Sequence, residues 1–180
     1  MVELLVVIAI IALLMAILAP TLNKARRQTK ATICQSNLKQ LGLLFLMYAN
    51  NNNDSAPATT KEWPHALHVY YNKKESLSCC PMATKPVNEG GRHPFAAFSV
   101  GSSWSSLNPE GSIYGSYGIN GWISNPSPGM TKNALGLPTA NNCRNINVKG
   151  TSKIPLFLDS MWIDSYPDTT NMPPQRDGNP

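Results

Sequence analysis

The chain has 180 residues and a formal charge of +5, enough for one small domain with an appendage and too few for a large core. The charge is lopsided: Lys24, Arg26, Arg27, Lys30 and Lys39 against Glu3 give residues 1–50 a net +4, while ten bases and nine acids leave residues 51–180 at +1. A nucleic-acid binder carries its cationic patch, interleaved with aromatics, on the folded part; here the basic balance belongs to the stalk, so nucleic acid is excluded as an expected partner.

The first element is Met1–Ala19, apolar throughout except for Glu3. Eighteen residues at about 1.5 Å rise make roughly 27 Å of helix, enough for a bilayer core. The expected lipid-facing residues are Leu4, Leu5, Val6, Val7, Ile8, Ile10, Ile11, Leu13, Leu14, Ile17 and Leu18. Their β-branched members are no obstacle, because lipid forces the backbone to satisfy itself. A cleaved secretory signal wants a basic start and a small-x-small exit; this start has no base, and Ile17 sits where a small residue belongs. A plain membrane anchor remains, and so does a membrane helix that later packs into a filament. Glu3 separates the two. An acid within a span costs a few kcal/mol and needs a partner. Either headgroups solvate it, or it meets a cation such as the α-amino group of a neighbouring copy.

The run Val2-Glu3-Leu4-Leu5-Val6-Val7-Ile8-Ala9-Ile10-Ile11-Ala12-Leu13-Leu14-Met15-Ala16-Ile17-Leu18-Ala19-Pro20 resembles the N-terminal helix of type IV pilins and type II secretion pseudopilins. The resemblance implies that Glu3 neutralises the terminal amine of a neighbouring subunit during assembly and that Pro20 is a kink or melting point. It also implies a prepilin peptidase acting on a longer precursor. The family's basic leader, its glycine and the Phe-Thr that follows do not precede Val2, and Met1 stands where leucine is expected, so the chain is expected to be shortened at its start. By the positive-inside rule, Lys24, Arg26, Arg27 and Lys30 would draw the C-terminal side to the cytoplasm; the resemblance places it in the periplasm, and that placement is preferred.

After Pro20 the pattern stays helical. Leu22, Ala25, Thr29, Ile33, Leu38, Leu41, Phe45 and Tyr48 recur every three to five residues and predict an amphipathic stripe that packs on the head. Gly42 weakens that helix by about 1 kcal/mol relative to alanine. The polar run Asn50–Asp54 ends it. A short second helix is expected over Glu62–Tyr71, with Trp63, Leu67 and Tyr70 on one face. His65 and His68 do not make a zinc site with Cys79 or Cys80, since adjacent cysteines chelate poorly. Cys34, Cys79, Cys80 and Cys143 allow three full pairings, which sequence does not choose among; adjacent Cys79 and Cys80 more often take different partners, and buried thiols are the alternative.

Gly90–Gly111 reads as a variable loop, Gly115–Ile123 as a strand whose glycines mark a bulge or close approach, and Pro126–Gly136 as turns. Ile154–Asp159 is the clearest strand. Asp159, Asp164, Asp168 and Asp177 follow. Their spacing is not an EF-hand and reads as surface acids in a turn-rich tail, although the resemblance makes Asp159, Asp164 and Asp168 candidate calcium ligands. No other cofactor is expected. The segments Cys34–Gly42 with Met47–Asn50, Cys79–Pro86, Tyr114–Asn120 and Lys153–Asp159 resemble the pseudopilin-like proteins of planctomycete-type bacteria. Those proteins continue past a stretch like Met172-Pro173-Pro174 into a final hairpin, so the head is expected to be incomplete at its end.

No Gly-x-Ser-x-Gly, His-Glu-x-x-His or P-loop is present, and an enzyme is not expected. The expected fold is α+β and pilin-like, a long N-terminal helix packed on a small, mostly antiparallel sheet. Residues 1–20 would be the transmembrane and filament-core helix, 21–50 the amphipathic half, and 51–180 a periplasmic head. The resemblance implies a single-pass inner-membrane protein that polymerises, alone or with minor pseudopilins, into a type II secretion pseudopilus. Its partners would be the inner-membrane assembly platform and the peptidase. A type IV pilus subunit and a membrane-anchored binding module that never polymerises are the alternatives.

Overall fold

The computed structural model describes residues 2–71, 75–83, 98–100, 113–133, 135–147, 154–160 and 163–167. The expectations for Asp168, Asp177, Met172–Pro174 and all of Gly90–Gly111 except Phe98–Val100 lie outside them. The described elements, in chain order, are α1 (Val2–Asn51), α2 (Trp63–Tyr71), α3 (Glu75–Ser78), β1 (Phe98–Val100), β2 (Ile113–Gly115), β3 (Tyr117–Asn120), a short 3-10 helix (Thr139–Asn141), β4 (Phe157–Asp159) and β5 (Asp164–Ser165). The class is α+β, as the sequence implies.

Helix α1 runs without interruption through Pro20. Proline lacks the N–H that would bond the Ala16 carbonyl, so it deletes one bond while the helix continues past it. Next to it, the Thr21 hydroxyl donates back to the Leu18 carbonyl at 2.8 Å. Thr29 and Thr32 repeat that back-bonding onto Ala25 and Gln28, which keeps three hydroxyls on α1 satisfied. The C-terminus is built by the asparagine run. Asn52 Nδ2 donates to the Tyr48 carbonyl at 2.8 Å, and the Asp54 amide bonds the Ala49 carbonyl at 2.8 Å. Asn53 and Asp54 take φ of 55° and 58°, the left-handed region that Asn and Asp tolerate better than other side-chain-bearing residues. Exit from the helix is then pinned to a distant loop: Ser55 bridges Asn145, and Asn147 Nδ2 reaches the Asp54 carboxylate at 2.9 Å.

The face of α1 that meets the head is narrower than the periodicity predicts. The buried residues are Cys34, Asn37, Leu41, Phe45 and Ala49, with Leu38, Leu44 and Tyr48 partly covered. Leu22, Ala25, Thr29 and Ile33 belong to the expected stripe but lie exposed, because the head begins to cover the helix only at Cys34. The buried row steps by three or four residues, as one helix face must, and it contains a cysteine and an asparagine that an apolar count passes over.

Two small sheets make the rest. β1 and β2 pair antiparallel, Phe98 opposite Gly115, so part of the expected variable loop is strand. The other sheet has the order β4-β3-β5. β4 runs antiparallel to β3, but β5 runs parallel to it, so this sheet is mixed rather than mostly antiparallel. The expected strand Gly115–Ile123 is broken at Ser116 and turns at Gly121. Ser116 sits between the strands for a reason: its amide bonds the Ser78 carbonyl, and its hydroxyl accepts the Cys80 amide at 2.6 Å. One residue therefore ties the sheets to the end of α3.

The core lies between α1, α2 and β3. Leu41, Phe45, Trp63, Leu67, Tyr117 and Ile119 are almost completely buried, each contributing about 1.5–3 kcal/mol of burial. Phe157 of β4 bridges the two helices, its ring 6.2 Å edge-on to Phe45 and 5.0 Å from Trp63. The Trp63 indole N–H donates to the Ile163 carbonyl at 2.9 Å, which satisfies the polar end of a buried aromatic. The Cys34–Cys80 disulfide fastens α1 to the segment after α3.

Candidate functional site

The most unusual surface is the first half of α1. Every residue from Val2 to Thr29 is exposed. All eleven expected lipid-facing residues are at least half exposed, with Leu4 at 72%, Leu13 at 64% and Ile17 at 60%. At on the order of 1 kcal/mol for each half-uncovered Leu or Ile, the total rivals the whole stability of a small domain, about 5–15 kcal/mol. No part of the described head reaches this surface. The helix is long and apolar enough to cross a membrane. Glu3 lies in its first turn, exposed, where the positive end of the helix dipole favours an acid. Glu3 and Pro20 bracket the apolar run, and the structure places no other described polar side chain between them.

The cysteines are resolved in part. Cys34 and Cys80 are bonded, 46 residues apart, while Cys79 and Cys143 remain thiols. Cys79 and Cys80 therefore have different fates, as their adjacency favours. Among the described residues, the one place where three potential metal ligands converge is Cys34, Cys80 and Asp159, their ligand atoms within 4.8 Å of one another. The disulfide holds both sulfurs as S–S rather than as thiolates. Asp159 itself is exposed on the strand, and partial desolvation of its carboxylate by its neighbours pushes its pKa up. Asn37 lies nearby, donating to the Tyr117 hydroxyl and the Cys79 carbonyl at 3.4 Å each. Burial first of all drives the Tyr117 phenol up to about 12, against the lowering effect of the Asn37 bond.

The candidate calcium ligands part company. Asp159 is on β4 and Asp164 on β5, flanking β3, and an Asp164 carboxylate oxygen accepts the Thr60 hydroxyl. The two histidines also serve packing. His65 is 4% exposed, and neither ring nitrogen has a hydrogen-bond partner among the described residues. Burial, and then His68, hold its pKa below the ordinary histidine value. His68 packs edge-on against Tyr71, centroids 5.2 Å apart.

Sequence reasoning did not find the head's concave surface. A cavity of about 370 Å³ opens beside the C-terminal half of α1. Its helical wall is Lys39, Gly42, Leu43 and Leu46; the facing wall comes from loops after β3 and before β4, including Ile123, Cys143 and Leu156. Gly42 was the available signal, a helix-weakening residue inside a long helix, yet nothing local marks what faces it.

No protein-family model, curated protein or solved structure matches this chain.

Proposed function

We propose that the chain is a structural subunit of the type IV pilin and pseudopilin class, which resides in the inner membrane through the first half of α1 and assembles by packing that half against copies of itself. The observation that carries the reading is the uncovered apolar run from Leu4 to Leu18, none of it sheltered by the head. Such a surface requires another cover. Lipid supplies one, with Glu3 held at the headgroups. Other copies supply a second, with Glu3 paired to a neighbour's terminal amine. Helix packing is then the driving force, and a separate cytoplasmic ATPase provides the work. The rigid linkage of α1 to the head, through the Cys34–Cys80 bond and the Phe45–Phe157–Trp63 cluster, suits a subunit that must carry its head outward with the helix.

A type II secretion pseudopilus is the reading preferred, on the likeness of Cys34–Gly42 and Lys153–Asp159 to pseudopilin-like proteins. The test is electron microscopy of cells producing the full-length precursor. Filaments that disappear with Glu3→Ala support the proposal. If no filaments form and Glu3→Ala changes nothing, the membrane-anchored module replaces it.

A further inference from the structure

Helix α1 presents Lys39, Gly42, Leu43 and Leu46 on one face, the i, i+3, i+4, i+7 spacing of neighbours on a helix. Leu43 and Leu46 stay about half exposed there, at 55% and 45%. Opposite them stand Ile123, Ile146, Ile154 and Leu156, so both walls of the 370 Å³ cavity are apolar. The volume lies in the range of small-ligand pockets. Gly42 lies in the helical wall, and a Cβ built on it would meet nothing within 4 Å. A better helix former would fit there; the glycine leaves that space open instead. The polar groups are few. Asn145 and the Cys143 thiol lie on the loop wall. Lys39 stands at the N-terminal end of the helical wall, exposed, and no acid pairs with it among the described residues.

We propose that this groove binds a free fatty acid, its aliphatic chain lying over Gly42 between the two apolar walls and its carboxylate on the Lys39 ammonium. Apolar walls select a hydrocarbon body, since contact with them is non-directional and grows with the area removed from water. Lys39, the one cation among the described lining residues, selects an anionic head and sets the direction of the chain. The site belongs to the head of one copy, so it stands or falls independently of the assembly reading.

Cys143 supplies the readout. Cys143 lines the groove, whereas Cys79, the other thiol, is not among its lining residues. The full chain in nanodiscs is labelled with a maleimide, with dodecanoate below its micelle threshold as the probe, and both cysteines are followed by peptide mass spectrometry. With labelling confined to the empty groove, the Cys143 rate falls about tenfold at about ten times the Kd, while the Cys79 rate is unchanged. Lys39→Glu raises the dodecanoate Kd by up to about fivefold, the factor expected for one exposed ion pair, and dodecanol protects less than dodecanoate. Gly42→Leu, which has open space for its side chain, slows Cys143 labelling without any ligand and removes the dodecanoate effect, its melting temperature confirming that it folds. No protection of Cys143, or equal protection of Cys79, overturns the proposal. Equal protection by dodecanol and dodecanoate, or by wild type and Lys39→Glu, also overturns it. So does protection that rises with the number of copies per nanodisc in the absence of ligand, which would make a second copy the occupant.

Discussion

Removal of the Cys34–Cys80 bond should loosen the head from its helix, and the size of the effect follows from the chain it closes. The cysteines are 46 residues apart. In the chain-entropy treatment, opening a loop of that length frees the unfolded state by about 4 kcal/mol. Both cysteines are buried, at 7% and 3% exposure, within the cluster that includes Leu41 and Tyr117, so a Cys34→Ala, Cys80→Ala pair also leaves a small cavity, which adds to the entropic loss. With a melting temperature that moves roughly 2–8 °C per kcal/mol for domains of this size range, the fall is on the order of 10 °C. Near-ultraviolet circular dichroism of the full chain in nanodiscs measures it, with a dithiol reductant giving the entropic part of the shift in the wild type and Cys143→Ser as a control. A fall below about 2 °C, less than 1 kcal/mol on that scale, would refute the entropic argument. Peptide mapping that bonded Cys79 or Cys143 to Cys34 would refute the pairing itself.

Two other substitutions probe the head. Gly121→Ala places a methyl 2.5 Å from Tyr166 Cζ, so the ring must leave its edge-on contact with Trp122; the expected cost is about 1–3 kcal/mol, and an unchanged melting temperature would rule out the close approach. His65→Leu removes a buried imidazole that has no partner for either nitrogen among the described residues and should be neutral or stabilising. His65 has a folded pKa below its ordinary 6.5, so the unfolded state binds more protons as pH falls. The wild-type stability it permits is complete above about 6.5 and is lost as pH drops through that value toward the folded pKa. The variant's margin over wild type therefore widens below pH 6.5 in thermal melts, and a margin that stayed constant would contradict this assignment.

How much of this was legible in the sequence depends on whether the determining contacts are local. Helix α1 and its end were legible, because apolar periodicity and an asparagine run act within a few residues; the helix stops at Asn51, one residue past the expected end. Where the head begins to cover it was not. The stripe through Leu22 and Ile33 continues the pattern, but coverage depends on chain that returns in α2, α3 and β4. The parallel strand β5 is two residues long and carries no pattern of its own; its partner is fixed by the Ile119 amide on the Ile163 carbonyl and the Gly121 amide on the Ser165 carbonyl. Choosing Cys80 over Cys79 also needed three dimensions, since Ser116 holds the Cys80 amide. Gly42 and Gly121 were visible as glycines in places that disfavour them. What faces each, an empty groove in one case and the Tyr166 ring in the other, comes from residues at least 45 positions away.

The central claim is that residues 4–18 of α1 exchange lipid for copies of themselves. Single cysteines placed in turn from Ile10 to Ile17 of the full-length precursor, with Cys79 and Cys143 replaced by serine, test it directly through disulfide cross-linking between subunits in cells. The account predicts cross-links that recur about every 3.6 residues, as a packed helix face requires, and that collapse with Glu3→Ala. Weak cross-linking without periodicity, unchanged by Glu3→Ala, would contradict it and leave the helix as an anchor only.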